Sequence, residues 1–443
     1  MKIYVTIALC LGMQFSFAQE VVPQVASKTW SLQDCIDYAL ENNITVKNAS
    51  LDKNTAEVTY DQSKSERLPN LFGSASQNFS NGNSIDPITS NFVTDQINST
   101  NVGINSSMTL FQGNQLNNKV KQNKLLLEQS IFQEEVEKNN IILNILENYL
   151  QTLYSKESII IAENNLNASE KEVLRAKARL DAGTIALSDY TEAQSQAATN
   201  KYNVISAKNE YQQYILTLKQ LLELTPMDDF AIENLAENQN LVQLTLDKTQ
   251  LYTNAFGYLP EVKASETSLA VNEKALDIAK GAYLPTLSLT GSIGSGYTSV
   301  NDATFSDQFD VNFNQRVGLA LTIPIFNRNQ TKAAVQKAAI NIEKATIQKQ
   351  TTEKAVYKKV ETAYQNAVSA QEQVVASQAS KTAAEQSYKL AQKKYELGDL
   401  STTDLVISQN TYTNAQQNYL QAKYLNILYY QLLEFYQEND IKL

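Results

Sequence analysis

Few of the 443 residues have the types and spacing that catalysis needs. Histidine is absent, which removes the usual serine and cysteine triads, the usual zinc sites and most general-base chemistry near neutral pH. Enzymes built on carboxylates alone remain open, but no pair of acids marks such a site, so we expect no enzyme, no catalytic residue and no cofactor. Asp302, Asp307 and Asp310 cluster on one polar stretch. They could take a divalent cation or be solvated charges, and their spacing marks no dedicated metal site. Two other clusters are more distinctive. Gly183-Thr184-Ile185-Ala186-Leu187-Ser188-Asp189 and Gly398-Asp399-Leu400-Ser401-Thr402-Thr403-Asp404 share the pattern of a glycine followed six residues on by an aspartate. Such a stretch can close one helix with Gly at C′ and open the next with a Ser, Thr or Asp cap.

These clusters lie in a duplicated chain. Leu68-Pro69 recurs 216 positions on as Leu284-Pro285, and the Ala39–Asn42 stretch recurs from Ala255 at the same shift. Phe111, Gly183 and Asp189 recur 215 positions on as Phe326, Gly398 and Asp404. One spacing held over so many markers means two large structural halves rather than a solenoid of small repeats. The first repeat occupies 19–224, a non-periodic connection 225–246, the second repeat 247–436 and a tail 437–443.

Each half runs in the same order. A helical stretch comes first, Ser31 to Glu66 or Asp247 to Gly281, stopped by the Leu-Pro pair. Two strands follow, at about 71–80 and 101–110 and at about 286–298 and 315–325. Leu287, Leu289 and Ile293, and Val317, Leu319, Leu321 and Ile323, alternate with small or polar residues, the period of a strand with one apolar face. The joining segments 81–100 and 299–314 read as polar loops. Then come helices over about 114–181 and 329–397 without proline or glycine, each roughly 100 Å long at 1.5 Å per residue. Val356, Val360, Ala363, Ala367, Ala370 and Val374 step by 4 and 3, a coiled-coil seam. Leu146, Tyr149, Leu153 and Ile160 share a similar frame. Beyond the tips at 183–189 and 398–404, return helices start at about Ser188 and Thr403, capped by Ser188 or Asp189 and by Thr402 or Thr403.

The bulk composition agrees with an exported helical protein. Lys and Arg total 37 against 47 Asp and Glu, a net charge of -10 that argues against a nucleic-acid partner. Residues 1–18 read as a secretory signal: Lys2, an apolar run, then Ser16-Phe17-Ala18 before Gln19. Cys10 leaves with it, so Cys35 has no intramolecular disulfide partner. No later stretch stays apolar for 18 residues, so any membrane crossing uses strands. Four strands cannot close a barrel, and open edges in lipid cost several kcal/mol per unpaired group. More than one protomer must therefore share a barrel; three would supply twelve strands. Of the 23 tyrosines, Tyr297, with Phe305, fits an interfacial aromatic girdle, while most others lie on the helices.

This duplicated order of helix, Leu-Pro, strand pair, long helix, glycine tip and return helix resembles the TolC-like outer-membrane efflux protein family, from about Trp30 to Tyr436. The resemblance implies a mainly α fold with a membrane β-barrel portion: a homotrimer sharing a twelve-stranded barrel and a twelve-helix periplasmic tunnel, embedded in outer-membrane lipid. It implies the exit duct of a tripartite efflux pump, with a periplasmic adaptor at the tips and an inner-membrane transporter supplying energy. It places adaptor contact at Gly183, Thr184, Ile185, Leu187, Asp189, Gly398, Leu400, Ser401 and Asp404, which are otherwise ordinary turn and cap residues. Asp404 matches a position whose carboxylates ring the periplasmic entrance, a role to set against its use as a helix-dipole acid. Here a second acid one turn on is replaced by Ile407, and a closing arginine by Leu400. Two other readings stay open: the channel of a type I protein secretion system, and an exported structural coiled-coil protein, which the amphipathic strands count against.

Overall fold

The computed structural model describes residues 29–85, 90–234, 248–437 and 441. The expected signal at 1–18 lies outside them, as do 235–247 of the connection and most of the 437–443 tail. In chain order the elements are β1 (Thr29–Trp30), α1 (Leu32–Asn42), α2 (Ile44–Ser65), β2 (Phe72–Ile85), β3 (Phe92–Gln112), α3 (Gln115–Asp181), α4 (Leu187–Leu221), β4 (Ala231–Ile232), α5 (Lys248–Tyr258), α6 (Pro260–Gly281), β5 (Thr286–Thr298), α7 (Phe305–Val311), β6 (Asn314–Thr322), α8 (Gln330–Leu397) and α9 (Thr402–Phe435).

The first helical stretch of each half is two helices, not one. In the first half the break falls at Asn43, whose side chain accepts from Thr45 N at 2.8 Å and donates to Leu221 O at 2.9 Å. In the second half it falls at Leu259, where Pro260 occupies the first turn of α6, a position that tolerates the missing N–H. α1 begins with a reciprocal capping box between Ser31 and Asp34.

The four long strands form one antiparallel sheet in the order β2-β3-β5-β6, so the two repeats meet at β3 and β5. Neither β2 nor β6 has a second neighbour within the described residues. The first hairpin is longer than its sequence pattern: β2 reaches Ile85 and β3 starts at Phe92, inside the segment read as a loop. The second connecting segment is not all loop, because it carries α7. The Gln308 side chain holds that turn to the sheet. It accepts from Thr298 N at 2.9 Å and donates to the carbonyls of Thr298, Asn301 and Ala303. Asp307 caps α7 with Thr304, and Phe305 packs between Tyr297 and Phe309.

Each strand pair enters its long helix through two residues of positive φ, Gly113-Asn114 (φ 56 and 58) and Arg328-Asn329 (φ 54 and 61). In the first repeat this turn presses on the end of α6. A Cβ on Gly113 would strike the Gly281 carbonyl, and one on Gly281 would strike Gly113.

The hydrophobic core forms a belt at mid-length of the long helices. Ile141, Ile145, Leu146, Tyr149, Leu150 and Leu153 of α3 meet Leu32, Cys35, Ile36 and Ala39 of α1, Leu251 and Ala255 of α5, and Leu420, Tyr424 and Leu433 of α9. Burying each large aliphatic side chain stabilises the fold by about 1.5–3 kcal/mol. The connection between repeats is tied into this belt: β1 and β4 pair in parallel, and the Tyr149 hydroxyl donates towards the carbonyls of Trp30 and Glu233, both at 3.1 Å. On α8, the whole seam from Val356 to Val374 is buried. On α3 the seam moves. Ile160 is 56 % exposed, and below the belt the buried stripe runs through Ser155, Ser158, Ala162, Ser169 and Ala176 instead. A straight helix drifts about 20° per heptad against a strict seven-residue repeat, and these small side chains let neighbouring helices come close.

α5 is held to α8 by Glu361. Its carboxylate takes hydrogen bonds from Tyr252, from Lys248 at 3.0 Å and from Gln365 at 2.6 Å. These bonds, Tyr252 first, hold the carboxyl down at about 2. A depressed folded-state pKa gives stability that is present above the unfolded value near 4.5 and is lost as pH falls through the folded one. The melting temperature of Glu361→Gln is therefore expected to lie below that of the parent at neutral pH. The gap should close as pH drops from about 4.5 towards 2; a gap constant across that window would assign it to packing instead.

Candidate functional site

The candidate duct has two parts, a membrane-facing sheet and a pair of helical tips. In the sheet the register sorts side chains by face. Ser74, Ser76, Asn101, Gly103, Asn105, Ser292, Gly294 and Asn314 share one face; Val102, Ile104, Met108, Leu289, Ile293, Val317 and Leu319 share the other. The polar face is the concave one, bounding hollows of about 480 and 870 Å³. The apolar face is exposed, with Val317 at 84 % and Leu319 at 69 %. An exposed apolar band on strands, backed by a polar concave face, is the pattern of a membrane barrel.

Both tips end α-hairpins at the far end of the long helices. In the first, Gly183 (φ 73) closes α3: its N–H donates to Leu180 O and Thr184 N–H to Arg179 O, both at 2.9 Å. Gly takes this left-handed position without a Cβ penalty. α4 then starts at Leu187 with Ala186 as its cap residue, so neither Ser188 nor Asp189 is the cap. Asp189, in the first turn, instead accepts from Ala186 N–H at 3.2 Å. In the second tip Gly398 (φ 88) closes α8. The cap of α9 is Ser401, not Thr402 or Thr403. Its hydroxyl accepts from Asp404 N–H at 3.1 Å and donates to the Asp404 carboxylate at 2.8 Å. Asp404 thus serves locally as a first-turn acid and is exposed. Gly183, Thr184, Leu187, Gly398 and Ser401 are also exposed, Leu187 by 63 %; Ile185, Asp189 and Leu400 are half-buried.

Sequence reading missed the residues that join the two tips. Arg179 donates to Tyr395 O at 3.3 Å and stands 5.1 Å from the centre of the Tyr395 ring, so a cation meets both an aromatic face and the carbonyl end of α8. The buried Tyr395 hydroxyl reaches Thr402 Oγ1 at 3.3 Å, across the second turn. One turn back, Arg175 lies 3.4 Å from Glu172 and 3.3 Å from Glu396 of α8. Burial pushes the Glu172 carboxyl up, against the pull of Arg175, and its Oε1 is buried without a hydrogen-bond partner. The one available signal was the scarcity of arginine, five in all, with two of them one turn apart just before a tip.

The family model described as outer membrane efflux protein matches residues 35–223 and 251–427, most of the chain and both repeats. This chain belongs to the outer membrane efflux protein family. As an outer membrane efflux protein it is a transport duct of the Gram-negative outer membrane. It is 23 % identical over 412 residues to the outer membrane protein TolC of Escherichia coli, covering 90 % of this chain and 80 % of that one. It is 22 % identical over 329 residues to the outer membrane efflux protein BepC of Brucella suis, covering 73 % and 68 %. Among solved structures, the Campylobacter jejuni CmeC outer membrane channel superposes with a TM-score of 0.80 at 20 % identity, over 93 % of this chain and 87 % of that one. The likeness to that channel is a likeness of fold.

Proposed function

We propose that this efflux protein is the exit duct of a tripartite pump, passively conducting small molecules outward from a periplasmic adaptor and an inner-membrane transporter. The sheet carries this reading. Its apolar face fits outer-membrane lipid, and its two edge strands, unpaired on their outer side among the described residues, need neighbours. A homotrimer closes them into a twelve-stranded barrel, and the long helices extend the bore into the periplasm. The tips meet the adaptor through Gly183, Thr184, Ile185, Leu187 and Asp189 and through Gly398, Leu400, Ser401 and Asp404, with Asp404 at the periplasmic constriction. Exposed Leu187 and Leu397, at 63 % and 79 %, support this docking role, since apolar side chains standing free at the end of a polar hairpin favour a partner.

The test places a photocrosslinking amino acid at Thr184 or at Leu400 in intact cells and identifies captured proteins by mass spectrometry. One periplasmic adaptor captured from both positions is the expected result. Well-expressed protein in the outer membrane that captures no periplasmic partner from either tip would end the docking assignment.

A further inference from the structure

The concave face of the sheet is almost free of charge. Its described side chains are mostly Ser, Thr and Asn with Gly and Ala between them; Ile97 and Gln112 stand towards its two ends, Phe72 stands in the row of Arg316, and Arg316 on β6 is the one cation. Among the described side chains of the four strands, Arg316 is the only charged one. Asp95, the other charged residue in the strand sequences, pairs with Gly82, ten positions along β3 from Asn105, which shares the row of Arg316.

The register fixes where Arg316 lies. It pairs with Ser292, which pairs with Asn105, and all three share the polar face. The next row carries Ile104 and Ile293 on the opposite, apolar face. Arg316 is therefore level with the apolar band. On the lipid side an arginine at this depth is strongly disfavoured, and the two-residue period puts it on the concave side instead. Both hollows on that side include Arg316 in their walls, and its side chain is exposed.

We propose that Arg316, repeated once per protomer, forms a cationic ring in the barrel lumen that favours anionic solutes over cationic ones in the outer part of the duct. This rests on the shared-barrel reading above. Twelve strands about 4.8 Å apart and tilted by about 40° close at a diameter of roughly 24 Å. Guanidinium groups reaching inward from such a wall, with a screening length of about 8 Å at physiological salt, hold most of the cross-section within their field. The neutral amide and hydroxyl lining adds no countercharge at that level. The pump's preferred cargo at this station is then an organic anion, and a cation passes it against the field.

The test uses the full-length protein in native outer membranes, with Ser292→Cys as the reporter. The natural Cys35 is fully buried, and the protein without the added thiol supplies the background. Labelling rates are measured with two water-soluble methanethiosulfonates, the anionic sulfonatoethyl and the cationic trimethylammonioethyl reagents. Their ratio, referred to a small free thiol, reads the local potential, because the thiolate fraction is common to both and cancels. The anionic reagent is expected to be favoured by about three- to tenfold. Arg316→Gln should abolish the preference, Arg316→Glu reverse it and Arg316→Lys keep it; salt near 1 M should erase it in the parent, where the screening length is about 3 Å. If both reagents reach the thiol but Arg316→Gln leaves the ratio unchanged, the cationic ring is wrong and the barrel stands. If neither reagent reaches the thiol while a lipid-soluble maleimide does, the polar face does not line water, and the shared barrel falls with the ring.

Discussion

Leu319→Arg is expected to remove the protein from the outer membrane, while Ala320→Arg, one residue along the same strand, leaves it there. Leu319 pairs with Leu289, which pairs with Met108, on the exposed apolar face; Ala320 pairs with Ser288 on the concave face. An arginine on the lipid face costs about 2–4 kcal/mol near the bilayer midplane. Shared over three protomers of one barrel, that penalty rivals the roughly 5–15 kcal/mol that keeps a typical folded protein together. On the lumen side the same side chain stays in water and costs little. Membrane fractionation with a protease challenge reads the outcome. Equal tolerance of both changes, or a worse result for Ala320→Arg, would reverse the assignment of the two faces.

The second large effect concerns the turn from strand to long helix. Gly113→Ala should lower the stability of the detergent-solubilised protein by about 3 kcal/mol or more, because the new methyl collides with backbone at Gly281 and the position also has positive φ. The equivalent turn in the second repeat has the same backbone but carries Arg328, which is exposed. Arg328→Gly should be neutral or stabilising by up to about 1 kcal/mol, since it relieves a left-handed residue without opening a cavity. Melting followed by circular dichroism distinguishes the two. A loss at Gly113→Ala no larger than the gain at Arg328→Gly would show that φ, and not the contact with Gly281, governs the turn.

Much of this architecture is legible in the residue pattern because it rests on local periodicity. Val356 to Val374 step by fours and threes and are buried throughout, and the glycines at 183 and 398 adopt the left-handed conformation that ends a helix. Periodicity fails where burial has no contrast. Residues 81–85 and 92–100 are rich in Asn, Ser and Thr, so no apolar face marks them as strand; backbone pairing between β2 and β3 extends them regardless. β1 and β4 hold two residues each and exist only because distant segments meet. The break at Leu259 is announced by Pro260, whereas the break at Asn43 depends on a hydrogen bond to Leu221, 178 residues away. The tip glycines and Asp404 stand out by spacing alone, but Arg175 and Arg179 look like ordinary surface charges until the end of α8 folds beside them.

The continuous, glycine-free course of α3 makes it a lever with its fulcrum at the buried belt. From Leu153 in the belt to Asp181 at the tip is 28 residues of helix, about 42 Å of nearly rigid arm. A tilt of only about 5° about the belt would swing the tip by roughly 4 Å on an arm of that length, enough to separate contacts such as those of Arg179 and Arg175 with α8. The small side chains of the lower stripe leave little knob-and-hole interlock to resist such a tilt. A partner gripping the tips would hold the mechanical advantage, while the belt needs to yield only by fractions of a side chain.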